Sequence, residues 1–127
     1  MANDFGNFIN EKRKGRATGG EDILLKDIAA AMGTTATYLS DIVKGRRNPP
    51  DMEMLQKIAT ILKLTQDETR EMYDLAGRAR NEAAPDLPEY IMAEDIPYVR
   101  AALRKANDKG LGNDFWKKVF ENMEDSN

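Results

Sequence analysis

Apolar residues recur along this chain at three- and four-residue intervals, and the strict alternation that marks strands hardly occurs. Phe5, Phe8 and Ile9 make a first stripe, which runs out in Glu11-Lys12-Arg13-Lys14 and a loop from Gly15 to Gly20. A second stripe of Ile23, Leu24, Ile28, Ala31 and Met32 stops at Gly33. Thr34-Thr35 offers a hydroxyl cap for a third helix, with Leu39, Ile42 and Val43 inward and a stop at Gly45. A fourth follows the Pro49-Pro50-Asp51 turn, with Met54, Leu55, Ile58, Ile61 and Leu62 inward. Thr65 with Glu68 three residues later is a capping-box signature for a fifth, carrying Met72, Tyr73, Leu75 and Ala76. The pattern predicts an all-α chain.

From Asn81 to Pro88 the sequence turns to Asn, Glu, Ala, Pro and Asp, which reads as a connector and places a domain boundary between residues 1–80 and 81–127. Beyond it, Pro97 opens a helix through Val99, Ala102, Leu103 and Ala106 to Gly110, and Phe115, Trp116, Val119, Phe120 and Met123 line a final short one. Two such helices bury too little surface to fold alone, so they are expected to dock on the first five or on another subunit.

Composition narrows the function. At 127 residues there is no room for a second large domain. The chain has no Cys and no His, which removes disulfides, thiolate zinc sites, cysteine nucleophiles and the commonest general base; the expectation is a cytoplasmic protein that is not an enzyme and needs no metal or cofactor. No apolar run approaches a membrane span, and Met1-Ala2-Asn3-Asp4 does not open a secretory signal, so no membrane partner is expected. The net charge of −3 gives no global attraction to a polyanion. It is unevenly spread. Residues 1–80 hold 13 lysines and arginines against 12 carboxylates, a net of +1, and residues 81–127 hold 6 against 10, a net of −4. Any cationic surface therefore belongs to the first part.

The sharpest signal runs from Leu25 to Pro49. Ala29 is small enough for two helix backbones to approach at a crossing, Gly33 supplies the left-handed residue of a tight turn, and Leu39 with Ile42 seals the next helix onto the one before. At 100° per residue, Thr37, Asp41 and Lys44 fall within about 40° of the pole opposite Leu39, flanked by Tyr38 and Ser40. Small hydroxyls, one phenol and one lysine suit the major groove of duplex DNA, where they can meet base edges. Gly45-Arg46-Arg47-Asn48 follows at once, two guanidinium groups and an amide suited to phosphate oxygens.

The run Lys26-Asp27-Ile28-Ala29-Ala30-Ala31-Met32-Gly33, continued by Thr34-Thr35-Ala36-Thr37-Tyr38-Leu39-Ser40-Asp41-Ile42 and Lys44-Gly45-Arg46-Arg47-Asn48-Pro49, resembles the helix-turn-helix of the Cro/repressor (Xre-like) family. Leu55-Gln56-Lys57-Ile58-Ala59-Thr60-Ile61-Leu62 extends the likeness, which covers roughly residues 5–76. The resemblance implies a five-helix lambda-repressor-like domain, to which the pattern beyond residue 81 adds a C-terminal helical extension; its third helix is expected to enter the major groove of operator DNA, commonly as a homodimer on an inverted repeat. Carried over residue by residue, Ala36, Thr37, Tyr38 and Asp41 match base- or groove-facing positions, and Lys44, Arg46, Arg47 and Asn48 match backbone-contacting ones. Where the family often has a phosphate-binding Gln, this chain has Leu25; neighbouring Lys26, with Thr35, completes the expected phosphate-contacting set. The loop between the first two helices is about five residues longer than the family's usual one, ending in Ala17-Thr18-Gly19-Gly20-Glu21-Asp22.

Several residues carry plainer readings as well. Lys12, Arg13, Lys14 and Arg16 can reach toward a phosphate backbone but read first as a solvated helix end. Asp41 can accept from a cytosine amino group or hold Lys44 across one helical turn, the second being favoured. Glu68 with Glu71, and Glu94 with Asp95, read as solvated or capping groups rather than acid/base pairs. The Met residues read as core filler, and Trp116 with Phe115 and Phe120 as packing for the last helix. The sum predicts a sequence-specific DNA-binding transcriptional regulator, a repressor by family habit, with double-stranded DNA as its partner. The alternative of another class is a protein-interaction module, an antitoxin or adaptor built on the same fold.

Overall fold

A computed structural model of the chain describes residues 3–125, and every regular element among them is a helix. Contacts divide the chain into two compact units, Met1–Pro88 and Glu89–Asn127. The first holds five helices: α1 (Asp4–Arg13), α2 (Leu25–Met32), α3 (Ala36–Val43), α4 (Met52–Ile61) and α5 (Gln66–Arg80). Its core includes Phe5, Phe8, Ile9, Ile28, Met32, Leu39, Ile42, Leu55, Ile58, Leu62 and Met72, all on the stripes read from the sequence. The all-α five-helix arrangement is thus as expected.

Two members of the second stripe are not. Leu24 precedes α2 as its N-cap and is 47% exposed, and Ala31 faces outward over α4 beside Gln56, Lys57 and Thr60. Ile28, Ala29 and Met32 are all buried and fill the inward positions, which leaves Ala31 on the far side of the helix. The helix starts late because Ile23 is held outside it: its N–H donates to the Arg13 carbonyl at 2.8 Å, and the Arg13 guanidinium returns to the Ile23 carbonyl at 2.8 Å. This double tie closes the neck of the long loop, so residues 14–22 form an excursion braced internally by Gly15 N–H to Asp22 and Ala17 N–H to Glu21.

The helix ends follow capping chemistry. Gly33 (φ 76°) ends α2 with Thr34 N–H donating to Ala29 O at 2.9 Å. Asp51 caps α4 by accepting from Met54 N–H, and Thr65 and Glu68 exchange both bonds of a capping box at α5. A less legible device sits where α1 crosses α3. Asn3 caps α1 by accepting from Gly6 N–H at 3.2 Å, and its amide also donates to the Val43 carbonyl at the end of α3. Gly6 lies against that same carbonyl, where a Cβ would collide with backbone.

The segment expected as a connector packs on the first unit. After Asn81 adopts a left-handed conformation (φ 57°), Glu82 N–H donates to Gly77 O at 2.8 Å and the chain turns back along α5, burying Ala84 in the core. Gly77 permits this return, since a Cβ there would meet Ala83 and Ala84 backbone at 2.7–2.8 Å.

The second unit holds a short α6 (Pro88–Ile91, beginning in the first unit's last residue), α7 (Pro97–Asp108) and α8 (Asn113–Asp125). Pro97 opens α7 as predicted, Arg100 donates to the Ile91 and Ala93 carbonyls at 2.7 and 2.8 Å, and Gly110 (φ 67°) ends the helix. At 13 residues α8 is longer than the short helix expected. Ala106 is the one buried apolar side chain among its described residues, while Tyr98, Phe120 and Met123 are exposed.

Candidate nucleic-acid interface

The turn from α2 to α3 fixes where α3 points. Thr35 stands in extended backbone and accepts from Tyr38 N–H at 3.1 Å, so α3 starts at Ala36; Leu39, Ile42 and Val43 then bind it to the core. Its other side is open. Ala36, Thr37, Ser40, Asp41, Lys44 and Arg46 line one shallow concavity of about 390 Å³. Three of the four residues expected to read bases, Ala36, Thr37 and Asp41, are together in it, and Ser40 joins them.

Tyr38 does not line it. The phenol is half-buried against the core, with the Arg47 guanidinium over its ring at 5.1 Å. Tyr38 therefore sits at the edge of the face as a platform for an arginine.

Asp41 departs from the role favoured by sequence. Its partner is Arg46, with Oδ1 at 3.7 Å from Nη1, and no Asp41–Lys44 pair forms among the described residues. The cause is the left-handed Gly45 (φ 80°), which ends α3 in a Schellman turn. Gly45 N–H donates to Ile42 O, and Arg46 N–H and Arg47 N–H both donate to Asp41 O, at 2.8 and 3.3 Å. One carbonyl thus holds the two arginines beside the helix, and Arg46 folds back over it. The ion pair is mostly exposed and accordingly weak, so the guanidinium stays available to a stronger anion.

Of the expected phosphate-contacting set, Lys44, Arg46, Arg47 and Asn48 are exposed and close in chain and space. Lys44, Arg47 and Asn48 line a second hollow, of about 400 Å³, with Asn3, Pro49 and Arg78. Lys26 is exposed in the first turn of α2, and Thr35 is exposed with its oxygen engaged as the α3 cap; neither lines these hollows. Arg78, from α5, was not singled out by sequence, where nothing links it to a loop 31 residues earlier. Asn3 and Gly6, which fix the end of α3 from α1, were likewise invisible.

Of the four cations at the end of α1 and in the long loop, Lys14 is exposed, and Lys12, Arg13 and Arg16 are engaged within the domain. Arg16 makes a two-pronged bridge to Glu68 at 3.1 and 2.7 Å and donates to Leu62 O at 3.1 Å, while Lys12 reaches the same carboxylate at 3.1 Å. Arg13 is spent on Asn10 and Ile23. These three side chains form internal clasps rather than a solvated helix end. Arg16 above all, then the Thr65 backbone and Lys12, hold the Glu68 carboxyl well below the usual carboxylate range, and Arg16 is raised in return. Glu68 is therefore a structural hub rather than an acid/base group.

A crossing of two short helices at a tight glycine turn, with a polar outer face on the second helix and a guanidinium pair at its end, defines a helix-turn-helix of the DNA-binding class. Residues 22–68 match the helix-turn-helix family model, a span that takes in α2, α3, α4 and the first turn of α5. No curated protein and no solved structure gives a match. This segment is a helix-turn-helix of the Cro/repressor (Xre-like) type, carried by an all-helical chain of the DNA-binding regulator class. No helix among the described residues is long and apolar enough to cross a membrane.

Proposed function

We propose that this protein is a cytoplasmic, sequence-specific transcriptional repressor that binds an inverted-repeat operator in double-stranded DNA as a homodimer. The observation that carries the reading is the exposed concavity of α3, hydroxyl-bearing and bordered by Lys44 and Arg46. In this reading Ala36, Thr37 and Asp41, with Ser40, face the bases, and Tyr38 contributes from the edge of the same face. Lys26, Thr35, Lys44, Arg46, Arg47 and Asn48 take the phosphate backbone. Residues 1–80 are the DNA-binding domain and 81–127 the extension, with the stretch to Pro88 packed on the former.

A dimer is favoured because one such unit reads only a few base pairs, and two units on adjacent half-sites multiply discrimination. The C-terminal unit supports it. α7 and α8 leave Tyr98, Phe115, Phe120 and Met123 open, and they differ in charge: α7 has three cations and one carboxylate, α8 two cations and four carboxylates. A second copy, with its α8 laid on α7 and the reverse by symmetry, covers the apolar faces and pairs the opposite charges.

The test is a fluorescence titration with random-sequence duplex at two salt concentrations. Binding should weaken with salt, and Arg46→Ala with Arg47→Ala should flatten the logarithmic slope by about 0.9 per lost phosphate, about 1.8 in all. Absent or salt-independent binding would transfer the fold to the protein-interaction reading, as an antitoxin or adaptor.

A further inference from the structure

We propose that Arg78, in the last turn of α5, is a further DNA-backbone contact, so that the phosphate-binding track continues from the recognition helix onto α5. The inference rests on the DNA-binding reading and adds to it a residue outside the matched segment 22–68. Lys44 lines both hollows described above, which makes them neighbours: the α3 concavity on one side, and on the other the hollow where Arg78 meets Lys44, Arg47 and Asn48. The second hollow has three cationic side chains in its lining and no carboxylate. Like charges gathered around one space repel, and the arrangement is relieved by an anion placed between them.

The two arginines in the last turn of α5 are used differently. Arg80 donates to the Pro49 carbonyl at 2.8 Å and faces Glu82 at 3.4 Å, tying the loop that forms the rim of the hollow. The Arg78 side chain makes no hydrogen bond or ion pair among the described residues, nor does that of Lys44. Asp4 shares a separate depression with Arg78 but lies beyond ion-pair distance. A cation in the last turn of a helix is favoured by the helix dipole wherever it points, so the dipole alone does not account for a guanidinium that lines a hollow with Lys44 and Arg47. The Arg80 tie to Pro49 holds that geometry in place, with α5 and the loop after α3 as its two walls. The ligand is a phosphodiester of the same duplex that α3 reads.

The experiment uses the full chain and a labelled random-sequence duplex, titrated between 50 and 200 mM salt. Arg78→Ala should flatten the slope of log K against log salt by about 0.9, so that the affinity lost over this range shrinks about 3.5-fold relative to the parent. Arg78→Lys, which keeps the charge, should keep the slope. Arg70→Ala, another exposed arginine of α5 that lines neither hollow, should leave it unchanged. Thermal midpoints report whether each variant is folded, and Arg78→Gln serves as a second neutral variant. An unchanged slope in Arg78→Ala, or an equal change in Arg70→Ala, overturns the proposal. If Arg46→Ala/Arg47→Ala still shifts the slope in that case, the DNA-binding reading stands without it; if the parent shows no salt dependence, both readings fall.

Discussion

Gly6 is the position where a single added carbon tests the packing that aims α3. It is buried in α1 at the crossing with α3, and a Cβ there would fall 2.7 Å from the Val43 carbonyl carbon, closer still to its oxygen, and 2.6 Å from the Asn3 amide nitrogen. Reaching the 3.4 Å at which ordinary contact begins requires the Val43 carbonyl carbon to move by at least 0.7 Å, and its nearer oxygen by more. The obstacle is backbone, so no rotamer change relieves it. Overpacking of this kind costs about 3 kcal/mol at the upper end of the usual range. Parting the helices also loosens the Asn3 cap, worth about 1 kcal/mol. Against these stands the helix-propensity gain of alanine over glycine, about 1 kcal/mol. Gly6→Ala should therefore lose about 3 kcal/mol, roughly 12–24 °C in thermal midpoint for a unit of this size. Circular dichroism melts, supported by urea unfolding at 25 °C, read the difference. A variant as stable as the parent, or more so, would show that α1 and α3 do not approach this closely, and the account of how α3 is positioned would go with it.

Thr37→Ala should cost about 1–3 kcal/mol on a site selected from a random oligonucleotide pool and leave non-specific affinity nearly intact; equal losses on all sequences would remove Thr37 from the base-reading face. Glu68 is held far below its ordinary value of 4.5, so its contribution to stability is fully present above that pH and is lost as pH falls through the range beneath it. Glu68→Gln should thus be less stable than the parent at pH 7 by urea titration, with the gap narrowing at pH 3; a gap that does not narrow would contradict the bridge to Arg16 and Lys12. Removing residues 89–127 should lower the dimer fraction in light scattering, and an unchanged dimer would put the interface in the first unit.

The sequence carried the local features well because their causes lie within a few residues. The caps at Thr35 and Thr65, the turns at Gly33 and Gly45, and the apolar stripe of α3 all follow from short-range steric and hydrogen-bonding rules, and the outward face of α3 follows from its stripe. What escaped depends on residues far apart in the chain. Asn3 reaches Val43 across 40 positions, and Arg16 reaches Glu68 across 52, so neither tie leaves a periodic trace. Periodicity also misled in α2, where five apolar residues in succession, Ile28 to Met32, allow more than one face, and the tie between Arg13 and Ile23 decides where the helix begins. At Asp41 the spacing to Lys44 was right for an ion pair, but the turn at Gly45 returns Arg46 to the same carboxylate.

The tied neck between Arg13 and Ile23 makes the excursion it closes a natural place to add chain. Thr18, Gly19 and Gly20 are exposed at its tip, and a Cβ added at either glycine would meet nothing within 4 Å. Loop-closure entropy rises only slowly with length, about 0.6 kcal/mol per doubling. A dye-bearing peptide or a small epitope spliced between Thr18 and Gly20 would leave Arg16 on Glu68 and both neck bonds in register, giving a label that reports on the domain without disturbing its helices.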